Sequence, residues 1–338
     1  KSIVVPASVT SIGKGAFYGC NLLGSVTFEN GSVISELSDE TFYGCTSLVA
    51  VDLPVSVKTI GANAFRNSAV TRVGFGSAVS IGANAFRNSK LIAADLPSSV
   101  TSIDAYAFAE IPSLQSVRIP AVTSMGEFAF ANAPRLTSVV FADGATLIGD
   151  YAFAWVGMTG QSMLSDVKLS ATVESVGEGA FVGSTALKSI DLTHVDNISD
   201  FAFEGSGLTL LDTSAKTIGA RAFADVKTLL SAKADSAEYI GEQAFYNTGI
   251  TSLSITSVKA LGANAFTNTR LTTVEIPASL ASYSYEQTLL LYAPSSGKYE
   301  EKKIGTESVG YGAFSDIPTL TSITVAAGNP VFGSRDGV

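Results

Sequence analysis

Ile60-Gly61-Ala62-Asn63-Ala64-Phe65-Arg66-Asn67-Ser68 occurs twice in this chain: residues 81–89 repeat it letter for letter, 21 positions on. A near copy, LGANAFTNT, occupies 261–269. A chain that repeats a nine-residue string repeats an environment, so the period is the first thing to establish. Phenylalanine measures it. Phe17, Phe42, Phe65, Phe86, Phe108, Phe130, Phe153, Phe181, Phe203, Phe223, Phe245, Phe266 and Phe314 each follow Ala, except that Thr41 precedes Phe42. An aliphatic residue (Met125 in one repeat) stands five positions before each, and most Phe-to-Phe steps are 20 to 25 residues.

A second block follows each Phe. Leu48-Val51-Leu53-Pro54, Leu114-Val117-Ile119-Pro120 and Leu271-Val274-Ile276-Pro277 show its form. Alternating aliphatics with Ser or Thr between them make a short half-buried strand, and a proline without an N–H ends the ladder. One strand per 20–25 residues is too sparse for a sandwich and leaves no room for βαβ helices. It fits a solenoid in which each turn adds one strand to a parallel sheet and packs only on its neighbours. The repeated Phe then stacks turn on turn as a spine, and each burial contributes about 1.5–3 kcal/mol. Gly61 and Gly82 are expected where a Cβ would clash in a tight turn, and Ala64 and Ala85 where turns approach closely. The usual crossover rule makes the solenoid right-handed.

The combined unit L-x-x-V-x-L-P-x-S-V-x-x-I-G-x-x-A-F is clearest at 91–108, LIAADLPSSVTSIDAYAF. This unit resembles the BspA-type leucine-rich repeat family over nearly the whole chain. Ser56, Ser99 and Ser279 stand near the position of the asparagine ladder of better-known leucine-rich repeats. The segments LLLYAPSSGKYEEKKI (289–304) and NPVFGSRDGV (329–338) resemble that family's irregular hairpin segment. The resemblance implies an exported bacterial protein, extracellular or at the cell surface, that adheres to a host protein or glycan.

The expected architecture is one leucine-rich repeat domain over 1–338 of about fourteen turns, with insertions near 155–162 and 283–308 and both ends cut mid-pattern. Thirteen turns carry a Phe, and the fourteenth is a degenerate one in which Thr288 stands in for it. Residues 288–293 and 298–303 are expected as a β-hairpin turning at Pro294-Ser295-Ser296-Gly297, because TLLLYA is strand-prone and Pro and Gly flank the two serines.

Composition excludes several functions. Lys and Arg number 21 against 30 Asp and Glu, for a net charge of −9. A nucleic-acid partner needs clustered cations, and an anionic membrane attracts them. No apolar run reaches the roughly 18 residues of a membrane-spanning helix, so no direct membrane insertion is expected, and the chain is expected as a monomer.

No cofactor or metal is expected. The single His194, in DLTHVDNIS, reads as a surface turn, since one His beside Asp191 and Asp196 is a poor metal signature. No nucleophile–base pair is available, so no enzyme is expected. Cys20 and Cys45 lie three residues after their repeat Phe on adjacent turns. That places them within disulfide range, and they are expected as reduced, protected thiols.

Outward strand positions are mostly small: Ser25, Ser116, Ser138, Ser189, Ser231, Ser252, Thr273 and Ser322. Asp52, Asp95, Asp191, Asp212 and Glu275 mix there with Arg72, Arg118, Lys168 and Lys233. No aromatic platform or single-sign stripe emerges, which reads as a solvated face. The candidate contacts are the aromatics of the insertions, Trp155, Tyr283, Tyr285, Tyr292 and Tyr299, since insertions in repeat proteins often carry the binding face. Two alternatives stay open. These aromatics fill a gap in the spine, or the whole chain is a structural spacer or stalk with no ligand of its own.

Overall fold

The computed structural model describes residues 1–280, 287–293, 298–304, 309 and 311–330. The chain divides into two compact units, Lys1–Thr172 and Val173–Val338. Each is a parallel-strand solenoid, and the described residues contain no helix.

In the first unit Ser25–Phe28, Ala50–Asp52 and Arg72–Gly74 are successive neighbours in one parallel sheet. Ala93–Asp95, Ser116–Ile119, Ser138–Phe141 and Asp166–Lys168 continue the pattern. The pairing is in register, with Val117 opposite Ala94 on one side and Val139 on the other. The alternation read from the sequence follows: Val51, Ala94, Val117 and Val139 are buried, while Asp52, Asp95 and Arg118 point to solvent. In the second unit Leu210–Asp212, Ser231–Lys233 and Ser252–Ser254 form the equivalent sheet.

Many turns also carry a two-residue strand at the aliphatic before the glycine. Thr59–Ile60, Ser80–Ile81 and Ser102–Ile103 pair in parallel, and Thr217–Ile218, Tyr239–Ile240 and Ala260–Leu261 do so in the second unit. Serines near the asparagine-ladder position link turns directly. Ser99 Oγ donates to Ala78 O at 2.7 Å and Ser279 Oγ to Val258 O at 2.7 Å.

The phenylalanines stack as parallel rings. From Phe17 to Phe153 the centroids are 5.0–5.4 Å apart. From Phe181 to Phe314 they are 5.2–5.3 Å apart. In-register stacking forces this geometry, because identical positions on adjacent turns sit one strand spacing apart.

The nonapeptide's polar letters set the backbone around the ring. Asn63, Asn67, Asn84 and Asn88 have φ between 54° and 58°, a left-handed conformation that Asn tolerates better than most residues. Left-handed residues therefore stand two before and two after the Phe. This directs alternate amides outward: Asn63, Phe65 and Asn67 donate to Ala83, Ala85 and Arg87 of the next turn at 2.9, 2.7 and 3.1 Å. The intervening Ala64, Arg66 and Ser68 donate three residues back within their own turn.

Gly61 and Gly82 serve a different need from the turn conformation. Neither is left-handed, and a Cβ there would lie 2.6 Å from Asp39 N and 2.7 Å from Ala62 N respectively. The clash would be with the backbone of the neighbouring turn.

The fourteenth turn is a correction. Phe266 stacks directly on Phe314 at 5.3 Å, and Thr273–Ile276 pairs directly with Ser322–Val325. Val309 bridges Leu261. A single turn therefore begins near Leu271 and is completed from Val309 onward, so the described residues show no separate degenerate turn between Phe266 and Phe314. Thr288 lies instead in the strand Gln287–Ala293, opposite Lys303 in the antiparallel strand Lys298–Ile304. The expected hairpin strands agree with these to within a residue; its turn at 294–297 lies outside the described residues.

Candidate binding surfaces

The outward face of the sheet is neutralised locally. Arg72 donates from Nη1 to Asp52 Oδ1 at 2.5 Å and from Nη2 to Oδ2 at 3.0 Å, a two-pronged contact between adjacent strands. The Arg72 guanidinium holds the Asp52 carboxyl below the usual carboxylate range. Arg118 stands 4.0 Å from Asp95, Lys168 3.9 Å from Asp166 and, in the second unit, Lys233 3.3 Å from Asp212. Ser25, Ser116, Ser189, Ser252, Thr273 and Glu275 are exposed, and Ser138, Ser231 and Ser322 are half-buried. Arg72, Arg118 and Lys233 pair with carboxylates one turn away and Lys168 with one in its own strand, leaving no single-sign stripe on the named strands.

Aromatics missed by sequence reasoning form a half-exposed ladder. Tyr106 stacks on Phe128 at 5.0 Å and Phe128 on Tyr151 at 4.9 Å, and the Arg87 guanidinium lies 5.0 Å over the Tyr106 ring. All three occupy the left-handed position two before the spine Phe. The residue after the Phe is then a buried alanine: Ala109, Ala131, Ala154. Where Asn63 or Asn84 takes the first position, Arg66 or Arg87 takes the second, and the two side chains meet at 3.2 Å. Bulk is traded between two positions three residues apart. The signal lay in AYAFA, EFAFA and DYAFA set against ANAFR. Rings stacked face to face offer a guest only their edges, so this ladder is packing on the outside of the turn.

Trp155 follows Ala154 and begins the insertion. Its indole N–H donates to Gly160 O at 3.3 Å across a loop turned by left-handed Gly157 and Gly160. Asn132 Oδ1 accepts from Val156 N at 3.1 Å, tying the loop to the preceding turn. Trp155 is half-buried, while Val156, Met158 and Met163 around it are exposed. Tyr292 and Tyr299 are directly opposite in the hairpin register. Tyr283 and Tyr285 lie outside the described residues.

His194 is exposed at a turn. Asp191 Oδ1 accepts from both Thr193 N and Oγ1, at 3.0 and 2.6 Å, which lowers its pKa. Among the described residues no group of three or more His, Cys, Asp or Glu is placed to hold a metal ion, and no helix is long and apolar enough to cross a membrane.

The two cysteines are free but differ. Cys45 is fully buried, and burial pushes its thiol up to about 11. Cys20 is exposed, so the expectation that both thiols are protected fails for it.

The stacked Phe spine, the L-x-x-V-x-L strands and the interrupting hairpin can be set against known proteins. A model of the BspA type leucine-rich repeat region matches in 6 copies over 1–79, 35–159, 79–209, 159–259 and 216–335. The chain belongs to the BspA-type leucine-rich repeat family. No curated protein matches the chain. Among solved structures, a leucine-rich repeat protein from Bacteroides ovatus is 19% identical with a TM-score of 0.64, covering 97% of this chain and 73% of that one. That likeness concerns the fold. The pneumococcal vaccine antigen PcpA is 20% identical with a TM-score of 0.43, covering 83% and 73%. A leucine rich cell surface protein from Faecalibacterium prausnitzii is 22% identical with a TM-score of 0.36, covering 75% and 78%. These BspA-type repeats build a scaffold, and no catalytic family is indicated.

Proposed function

We propose that this BspA-type chain is a non-catalytic binding module of a bacterial cell surface, extracellular in location, that adheres to a host protein or glycan through its insertions. The observation that carries this reading is the excursion between Leu280 and Val309. The spine and the sheet close across it, Phe266 on Phe314 and Val274 opposite Ile323. The hairpin is therefore surplus to the packing of the solenoid. A segment that the core does not need is free to serve contact, and Tyr292 and Tyr299 offer large contact area at low entropic cost. The insertion at Trp155 is a second candidate, because it presents exposed Val156, Met158 and Met163 within one short segment.

A second reading is favoured by the sheet face. Several of its charges pair turn to turn, as between Arg72 and Asp52 and between Lys233 and Asp212, and a surface that pairs its own charges suits a spacer or stalk. An array of immobilised matrix proteins and glycans separates the two. Saturable binding to at least one member is expected of an adhesion module. Binding to none of them would favour the spacer.

A further inference from the structure

The chain contains two cysteines, and they occupy the same position on adjacent turns, three residues after Phe17 and Phe42. The equivalent position elsewhere is often a buried hydroxyl: Ser68, Ser89, Ser184, Ser206, Thr248 or Thr269. The backbones on either side are locked together. Gly19 N donates to Tyr43 O at 2.8 Å, and the Phe17 and Phe42 rings are 5.2 Å apart. The Cys45 side chain does not point away into its own turn. Its Sγ donates to Phe17 O at 3.1 Å, which belongs to the turn carrying Cys20 and also accepts from Cys20 N at 3.1 Å. Adjacent turns about 5 Å apart are within the Cα separation that a disulfide spans.

We propose that Cys20 and Cys45 form a reversible redox staple, closing to a disulfide that clamps two adjacent turns when the chain meets a small-molecule disulfide oxidant. The exposed Cys20 thiolate attacks one sulfur of the oxidant, forming a mixed disulfide and expelling one thiolate. Cys45 loses its proton to solvent and attacks Cys20 Sγ, forming the Cys20–Cys45 bond and expelling the second thiolate. Two protein thiols are oxidised and one small disulfide is reduced to two thiols. The second step is the slow one, since burial holds Cys45 protonated at neutral pH. This inference does not depend on the adhesion reading, although an oxidising extracellular setting would favour the closed form.

The test is incubation of the reduced native chain with oxidised glutathione at pH 7 and pH 9, followed by acid quench, denaturing alkylation and intact-mass and peptide analysis. The expected product is a monomer that has lost two hydrogens, takes up no alkylating reagent, yields a linked Cys20–Cys45 peptide and returns to the dithiol on reduction. A glutathione adduct on Cys20 should precede it and resolve faster at pH 9. Cys45→Ser should stop at that adduct. In the stapled form the amides of Gly15 and Gly19, which donate to Asp39 O and Tyr43 O, should exchange about tenfold more slowly or better. An adduct that persists at pH 9, a disulfide-linked dimer, or a crosslink with unchanged amide exchange would each overturn the staple.

Discussion

Replacing Phe108 by Ala removes one ring from the middle of the first unit's spine. Phe108 is fully buried. It stacks on Phe86 and on Phe130, each at 5.0 Å, and meets the edge of Phe75 at 6.4 Å. A buried Phe→Ala change costs about 3–5 kcal/mol. Two stacked neighbours that lose their partner place this site in the upper half of that range, at about 4 kcal/mol. With a urea dependence near 3 kcal/mol/M, the unfolding midpoint should fall by about 1.3 M. Urea titration followed by far-ultraviolet circular dichroism checks this, with exposed Leu22→Ala as a control expected to stay within about 0.5 kcal/mol. Because turns are coupled to their neighbours, the Phe86 and Phe108 amides, which donate to Ala107 O and Ala129 O, should lose exchange protection first. A midpoint shift below about 0.3 M would refute a stabilising role of the stacked spine at Phe108.

Three further outcomes follow from named positions. Gly82→Ala should destabilise by about 1–3 kcal/mol, because the new Cβ meets Ala62 N, whereas Gly13→Ala, with open space around it, should be nearly neutral in the same titration. Asn88→Val should cost about 1–2 kcal/mol, because φ is 54° there, and Asn88→Gly should cost less. Asp52 has a folded pKa depressed by Arg72, so its contribution to stability is present above the ordinary carboxylate pKa and is lost as pH falls through the depressed one. Arg72→Gln should raise the Asp52 titration midpoint seen by NMR, and an unchanged midpoint would show that the contact does not persist in solution.

The repeat was legible because each turn meets the same surroundings. The Phe, the aliphatic five residues before it and the alternating strand therefore recur at one period. The hairpin strands were legible for a local reason, the strand-prone TLLLYA and a Pro-Ser-Ser-Gly turn. The fourteenth turn was misread because Ser279-Leu280 does begin a repeat; only the stacking of Phe266 on Phe314 shows that the same turn is completed after the insertion. Asn63 and Asn67 looked like ordinary polar letters, and their left-handed role appears only when the amides are traced to the next turn. The Tyr106–Phe128–Tyr151 ladder was missed because its signal is a trade between two positions three residues apart. Of the candidate contacts, Trp155 was legible as an insertion residue, but its hydrogen bond to Gly160 depends on loop backbone that no repeat dictates.

Contact is expected at the hairpin and not at the sheet face. Replacing 289–303 with a short Gly-Ser bridge tests it directly, on the same array of matrix proteins and glycans as the parent. The Phe266 amide, which donates to Ala313 O across the junction, reports whether the solenoid remains closed. The expected result is retained protection of that amide and loss of binding to the parent's strongest ligand. Unchanged binding by a variant that keeps the protection would contradict it.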